Sequence, residues 1–172
     1  RLRLQMHDSD MLAWREQRET WLRFQPIELT RCRPPPWLDA LLGPLQAMPL
    51  EAAVAGGASD YLVLRWPDDH ALGDLPAPGS GLGNFSQRAL IYTAAQPALD
   101  PRAVELRYFA PQYGVDEDLA TGSAMRVLAA FWADHQPQLL AYQASRTGGA
   151  LRSHWHPEHI DIGGFCRQEM LP

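Results

Sequence analysis

The sequence predicts an α+β fold, and three observations support this. Short segments that alternate polar and apolar residues recur along the 172-residue chain, which is typical of half-buried strands. One longer apolar segment has the composition of a buried helix. The predicted strands do not alternate regularly with helices, as they would in a doubly wound parallel sheet. With 46% hydrophobic residues, a chain of this length can also build a substantial core.

Two strands are predicted in the first 30 residues. Arg1–Met6 alternates polar and apolar residues, and a second strand covers Glu19–Ile27. Between them, Met11–Arg18 is predicted to form a short helix capped by Asp10. We therefore expect this region to resemble a hairpin.

A proline-rich segment, Arg31–Pro36 (RCRPPP), is the best candidate for a domain boundary. Three prolines suit neither a helix interior nor a central strand, so the segment is predicted to be an extended linker. A helix should follow at Trp37–Leu42 and end at Gly43, and another short helix is predicted at Asp68–Leu75. The other predicted strands are Leu50–Ala55, Tyr61–Trp66, Phe85–Ala95, Val104–Ala110, Leu139–Ser145, Leu151–Trp155 and His159–Phe165.

The composition excludes several function classes. All 15 basic side chains are Arg, so chemistry through a Schiff-base lysine or a Walker-loop lysine is impossible within this chain. The net charge of -5 and the scattered basic residues argue against nucleic-acid or membrane partners. Two cysteines do not make a disulfide framework, and no signal peptide opens the sequence, so we expect a cytoplasmic protein.

The predicted buried helix lies within Asp116–Trp132 (DEDLATGSAMRVLAAFW). From Ala124 to Ala133 its only polar residue is Arg126, so nearly every face must be buried. Burial leaves the backbone N–H groups of the first turn, at Gly122–Ala124, in need of acceptors.

Two arrangements would satisfy these N–H groups. In the first, Thr121 or Ser123 caps the helix, which general frequency slightly favours. In the second, a carboxylate or phosphate binds the amides, and Gly122 permits its close approach. The acidic triplet Asp116–Asp118 shifts the balance towards the second, because a carboxylate beside a desolvated pocket is suited to acid–base chemistry.

The segment Arg107–Ala124 (RYFAPQYGVDEDLATGSA) closely resembles the signature of the PhzF-like isomerase family. That signature consists of an aromatic strand, Ala-Pro, Gly, and then Glu-Asp-x-x-Thr-Gly-Ser-Ala leading into a helix. Shorter pieces agree in order and spacing at Ser59–Leu64 (SDYLVL), Gln143–Gly149 (QASRTGG) and Ile160–Gly164 (IDIGG). The resemblance covers roughly Trp37–Phe165.

This resemblance implies the diaminopimelate-epimerase-like fold, in which two similar domains each wrap a strand-rich barrel around a central helix. The active site lies in the cleft between the domains. The implied reaction is an isomerisation by proton transfer on a small carboxylic acid, without cofactor or metal. By the same resemblance, Asp118 is the catalytic carboxylate, Thr121, Gly122 and Ser123 bind the substrate, and the protein is a homodimer.

The sequence also departs from the family pattern. The family's first domain carries a Gly-His-Ala-Thr-type helix start and a catalytic glutamate, and neither is found here. We therefore expect residues 1–30 to be the C-terminal remnant of a first domain, residues 37–172 to form the second, and the chain to be truncated at its N-terminus. The alternative is a non-catalytic small-carboxylate-binding or assembly domain on the same scaffold. In addition, Met125 replaces a frequent His, and Thr147 interrupts an Arg-Gly-Gly run.

Three weaker motifs have simpler explanations. Cys32 and Cys166 suggest a two-cysteine racemase, but neither precedes a helix that would activate its thiol, so structural cysteines are expected. Gly79–Gly83 (GSGLG) follows prolines rather than a strand, which predicts a loop and not a dinucleotide site.

The third motif is His154–His159 (HWHPEH), the only metal-like cluster in the sequence. In a strand, His154 and His156 would share a face, and His159 and Glu158 lie nearby. Because Pro157 is expected to break the strand, the motif is predicted to be an exposed turn without a metal.

Overall fold

The computed structural model describes residues 2–6, 9–45 and 47–166, and its strand-rich architecture confirms the α+β prediction. Within these residues, eleven strands form one mixed sheet in the order β1-β2-β3-β11-β10-β9-β8-β7-β6-β5-β4. The strands are β1 (Leu2–Met6), β2 (Ser9–Glu16), β3 (Glu19–Phe24), β4 (Leu29–Cys32), β5 (Glu51–Ala55), β6 (Tyr61–Arg65), β7 (Ala89–Ala95), β8 (Ala103–Phe109), β9 (Gln138–Gln143), β10 (Gly149–His156) and β11 (His159–Gly164). The helices are α1 (Leu38–Leu42) and α2 (Gly122–Trp132).

Two neighbouring pairs, β6–β7 and β8–β9, run parallel, whereas the other pairs in the sheet are antiparallel. Parallel neighbours require long crossover connections. The connection from β8 to β9 contains α2, and the connection from β6 to β7 covers the opposite face of the sheet.

Helix α2 lies in the main core, as its apolar sequence predicted. Seven of its side chains are buried, and the helix contacts β4 at one edge of the sheet and β9, β10 and β11 further along. Its one charged side chain, Arg126, reaches the carbonyl oxygens of Gln25 and Pro26 at 2.8 and 3.0 Å. The sheet therefore wraps around the helix and holds its N-terminus at one end of the core.

A second apolar cluster occupies the other face of β5–β8. Its largest side chains include Trp66, Tyr92 and Phe109, packed with Leu38 of α1. This apolar layer packs against the face of these strands that points away from α2.

The structure corrects several predicted elements. The predicted helix at Met11–Arg18 is wrong, because residues 11–16 lie in β2, which pairs with both β1 and β3, and residues 17 and 18 form the turn into β3. The predicted helix at Asp68–Leu75 shrinks to a 3-10 turn at Leu72–Asp74. The segment Gly79–Gly83, predicted as a loop, lies in a 3-10 helix at Gly79–Asn84. The predicted strand at Phe85 begins instead at Ala89, strand β4 was not predicted, and Arg1 lies outside the described residues.

The hairpin strands β1–β3 join the sheet through the pairing of β3 with β11. Gly163 of β11 lies opposite Trp21, and a Cβ added there would sit 2.5 Å from the indole ring. The indole therefore occupies the space that a side chain at Gly163 would need. The division into two domains at residues 31–36 stays a prediction.

None of the helices in the described part of the chain is both long enough and apolar enough to cross a membrane.

Candidate active site at the start of helix α2

The N-terminus of α2 carries the residues that the sequence motif singled out. The chain leaves β8, makes a 3-10 turn at Pro111–Tyr113, and enters the helix at Gly122 from an extended Thr121. Thr121 is buried, Gly122 is half-buried and Ser123 is exposed. The first turn therefore meets solvent on one side and the core on the other.

No side chain caps this helix. The Thr121 hydroxyl, the expected cap, instead donates to Oδ2 of Asp118 at 2.6 Å. The backbone N–H of Thr121 donates to Oε1 of Gln143 at 2.7 Å. The sequence left two arrangements open, capping by a side chain of the helix itself or binding of an anion, and capping is not observed. The first-turn amides therefore keep their capacity to bind an anion.

The approach to these amides is open. A Cβ built on Gly122 meets no atom within 4 Å. The site residues are also separate from the apolar groove of about 330 Å³ that crosses β8, β9 and β10. The amides are therefore accessible from solvent rather than enclosed in a cavity.

Asp118 lies directly before the helix and is held by its own loop. Its Oδ1 accepts the Leu119 N–H at 2.8 Å, and its backbone N–H donates to the carbonyl of Tyr108 at 3.1 Å. Burial raises the pKa of Tyr108 to about 12, with smaller contributions from Tyr61 and from the Asp118 carboxylate. The backbone of Tyr108 thus helps to hold the loop that carries Asp118, a contact that the sequence analysis missed.

The three acidic residues have different surroundings. Asp116 is exposed. Glu117 forms a bidentate ion pair with Arg107, at 2.6 Å from Nε and 3.0 Å from Nη2. The remaining terminal nitrogen of Arg107 donates to the carbonyls of Leu72 and Leu75. Glu117 is therefore a structural anchor, which leaves Asp118 as the carboxylate at the helix.

Two polar residues at the end of β9 position this loop, and sequence analysis assigned neither a role. Gln143 is fully buried, and its amide nitrogen donates to the Asp118 carbonyl at 2.6 Å and to the Thr121 hydroxyl at 3.1 Å. The Ser145 hydroxyl donates to the Leu119 carbonyl at 2.7 Å. Both belong to the QASRTGG segment, so the available signal was a pair of polar residues following the apolar residues of β9.

The two cysteines lie away from helix N-termini. Cys32 ends β4, and Cys166 follows β11. Both cysteines are exposed, and partial desolvation of the Cys32 thiol raises its pKa, which opposes the activation that a catalytic thiolate needs. These surroundings argue against a two-cysteine racemase mechanism.

Comparison with known proteins identifies a matching family and several similar proteins. Residues 32–164 match the PhzC-PhzF model, described as phenazine biosynthesis-like protein. An uncharacterized isomerase of Pseudomonas aeruginosa is 32% identical over 123 residues, which is 70% of this chain and 46% of that protein. The human phenazine biosynthesis-like domain-containing protein is 44% identical over 61 residues, 34% of this chain and 21% of that protein.

Solved structures show the same fold. A crystal structure of a PhzF-family phenazine biosynthesis protein from Enterococcus faecalis superposes with a TM-score of 0.78 at 24% identity, covering 95% of this chain and 60% of that one. A putative PhzC/PhzF protein from Clostridium difficile gives a TM-score of 0.71 at 19% identity, covering 95% of this chain and 61% of that one. At most about half of each of the two curated relatives is matched by this chain.

Proposed function

Because the chain belongs to the PhzC-PhzF family of phenazine biosynthesis-like proteins, we propose that it carries the Asp118 half of a cofactor-independent isomerase site. The isomerase names of curated relatives support the reaction class. The observation that carries the proposal is the uncapped start of α2 directly beside the Asp118 carboxylate.

The substrate carboxylate binds the amides of Gly122 and Ser123, where the helix dipole favours negative charge. Thr121 positions Asp118 through its hydroxyl, which donates a hydrogen bond to the ionised carboxylate. Asp118 then transfers a proton to or from a carbon of the bound acid, and no cofactor takes part.

We propose that a second acid–base group completes the reaction, exchanging the proton that Asp118 does not handle. We place that group, the family's glutamate, on a first domain whose last part is residues 1–30, with residues 31–36 as the linker. The working protein would then be a cytoplasmic two-domain enzyme, assembled as a homodimer.

A non-catalytic small-carboxylate-binding domain is the second candidate, and one observation favours it. Both carboxylate oxygens of Asp118 already accept hydrogen bonds, from Leu119 and from Thr121. In such a domain, Asp118 would only hold the loop in place while the helix amides bind the ligand.

The anion site is tested by Gly122→Val. The added side chain points into open space and leaves the fold intact, but it blocks approach to the first-turn amides. We expect the amide shifts of Gly122 and Ser123, induced by benzoate in an NMR titration of the wild type, to disappear in the variant. Gly73→Val is the matched control, since Gly73 is equally open and distant in sequence from the helix. Unchanged benzoate affinity in Gly122→Val would remove the anion site.

The catalytic role is tested by Asp118→Asn in the full-length natural protein. Small unsaturated acids and amino acids are incubated in D2O, and deuterium incorporation at carbon is followed by NMR. We expect Asp118→Asn to abolish incorporation and the exposed Asp116→Asn to retain it. Retained incorporation in Asp118→Asn would move the catalytic role to another residue. Benzoate binding without incorporation for any acid would favour the binding domain.

A further inference from the structure

The hairpin of β10 and β11 brings together three potential metal ligands outside the candidate active site. As the sequence analysis expected, Pro157 ends the strand: β10 runs to His156, and residues 157 and 158 form a two-residue turn into β11. His156 pairs with His159, and two positions further along the ladder His154 pairs with Asp161. The side chains of His156, His159 and Asp161 therefore share one face of the sheet.

The ligand atoms of these three residues all lie within 4.8 Å of one another. Nε2 of His159 lies 3.6 Å from Oδ2 of Asp161. The two imidazole rings of His156 and His159 stack with their centroids 4.4 Å apart. Small rotations of exposed rings can bring such atoms into one coordination sphere.

The three side chains differ in their exposure to solvent, from buried to exposed, which suits a site that an ion can enter. Asp161 is buried, the His159 side chain is 24% exposed, and His156 is exposed. An ion can therefore enter from the His156 side and keep a water ligand there. His154, by contrast, packs against Trp21 with ring centroids 4.9 Å apart, so its ring is already engaged.

Arg23 of β3 fixes the carboxylate in this cluster. Its Nε donates to Oδ1 of Asp161 at 2.7 Å and its Nη2 to Oδ2 at 2.8 Å. A carboxylate oxygen retains a further lone pair, and on Oδ2 it is available to an ion next to His159. Such partners orient metal ligands and commonly alter metal affinity by about 10–100-fold.

We propose that His156, His159 and Asp161 bind a zinc-class divalent ion at this hairpin, with water completing the coordination. Two imidazoles and one carboxylate suit Zn²⁺, whereas Mg²⁺ and Ca²⁺ prefer oxygen ligands alone. The bound ion cross-links β10 to β11 and, through Asp161 and Arg23, both strands to β3. This site is independent of the proposed isomerase function.

The test is calorimetric titration with Zn²⁺, using protein without an affinity tag. Cys32→Ser and Cys166→Ser are introduced first, because exposed thiols bind zinc themselves. We expect one saturable site near pH 7.5, and at least about tenfold weaker binding in His156→Asn and in His159→Asn. His135→Asn, which changes a histidine beyond the end of α2, serves as the matched control and should retain full affinity.

Two further measurements separate coordination from simple surface binding. Zinc should raise Tm in the control and not in His156→Asn, since ligands of the folded state stabilise it. Asp161→Asn should also lose zinc binding, and its Tm without zinc is compared separately because the change also removes the Arg23 ion pair. The proposal fails if no saturable zinc uptake occurs, or if His156→Asn binds zinc as tightly as His135→Asn.

Discussion

Glu117 and Asp118 are adjacent carboxylates with different roles, because only Glu117 forms an ion pair with Arg107. Arg107 holds Glu117 in a bidentate contact, and only 8% of its side-chain surface is exposed. Asp118 instead bonds within its own loop and next to the helix start. Sequence analysis correctly predicted that the acidic triplet at residues 116–118 lies directly before the helix. It did not reveal which acid is paired, because Arg107 reaches Glu117 only once β8 and the following loop have folded back.

This division predicts the effect of Glu117→Gln. The change leaves Arg107 buried without its counter-ion, so the free energy of unfolding should fall by about 3 kcal/mol, the lower end for a broken buried pair because Glu117 is partly exposed. Urea unfolding measures this loss. Asp116→Asn is the control and should change stability by less than about 0.5 kcal/mol. Equal stability of the two variants would contradict the anchoring role.

At the scale of elements, periodicity identified α2 but misassigned β2. Helix α2 was recognisable because it is apolar on nearly every face and preceded by a distinctive motif. Residues 11–18 follow a cap-like aspartate, Asp10, and the strand pairing with β1 and β3 overrides this local helical signal. Strand β4 escaped prediction because it is only four residues long and leads into the proline segment. Local patterns thus fail where a partner strand decides the conformation.

Met125 gives an element-level prediction for α2. Its side chain is fully buried one turn into the helix. Because the buried position of Met125 must be filled by a side chain of similar volume and needs no polar group, Met125→Leu should lower the free energy of unfolding by less than about 1.5 kcal/mol. Met125→Ala should cost about 2–5 kcal/mol through the cavity it creates. Chemical denaturation of both variants checks this, and similar losses would show that the thioether itself matters.

For the whole molecule, the pairing of β3 with β11 decides how the N-terminal hairpin joins the rest. The family resemblance indicated the fold, but nothing local in either segment indicates that Arg23 meets Asp161 across 138 residues. The close packing of Trp21 on Gly163 is likewise a product of this register. Sheet order is therefore the part of the fold that composition and periodicity could not predict.

Gly163→Ala tests this junction. The new methyl group would sit 2.5 Å from the buried Trp21 ring, so the two strands must move apart, at a cost of about 1–3 kcal/mol. Gly73→Ala, at an open position, is the control. Hydrogen exchange should accelerate in β3 and β11 before other strands. Adding Trp21→Leu should recover part of the lost stability, and no recovery would show that the indole is not the obstacle.

The position of β3 beside β11 also has a consequence for the timing of synthesis. A ribosome adds about 5–20 residues per second, so the 138 residues between Arg23 and Asp161 take roughly 7–28 seconds to appear. During that interval β3 has been made and its neighbour has not, and its outer row of N–H and C=O groups remains available to other chains. The pairing of β3 with β11, which completes the native sheet, is thus the pairing most open to incorrect partners while the protein is being made.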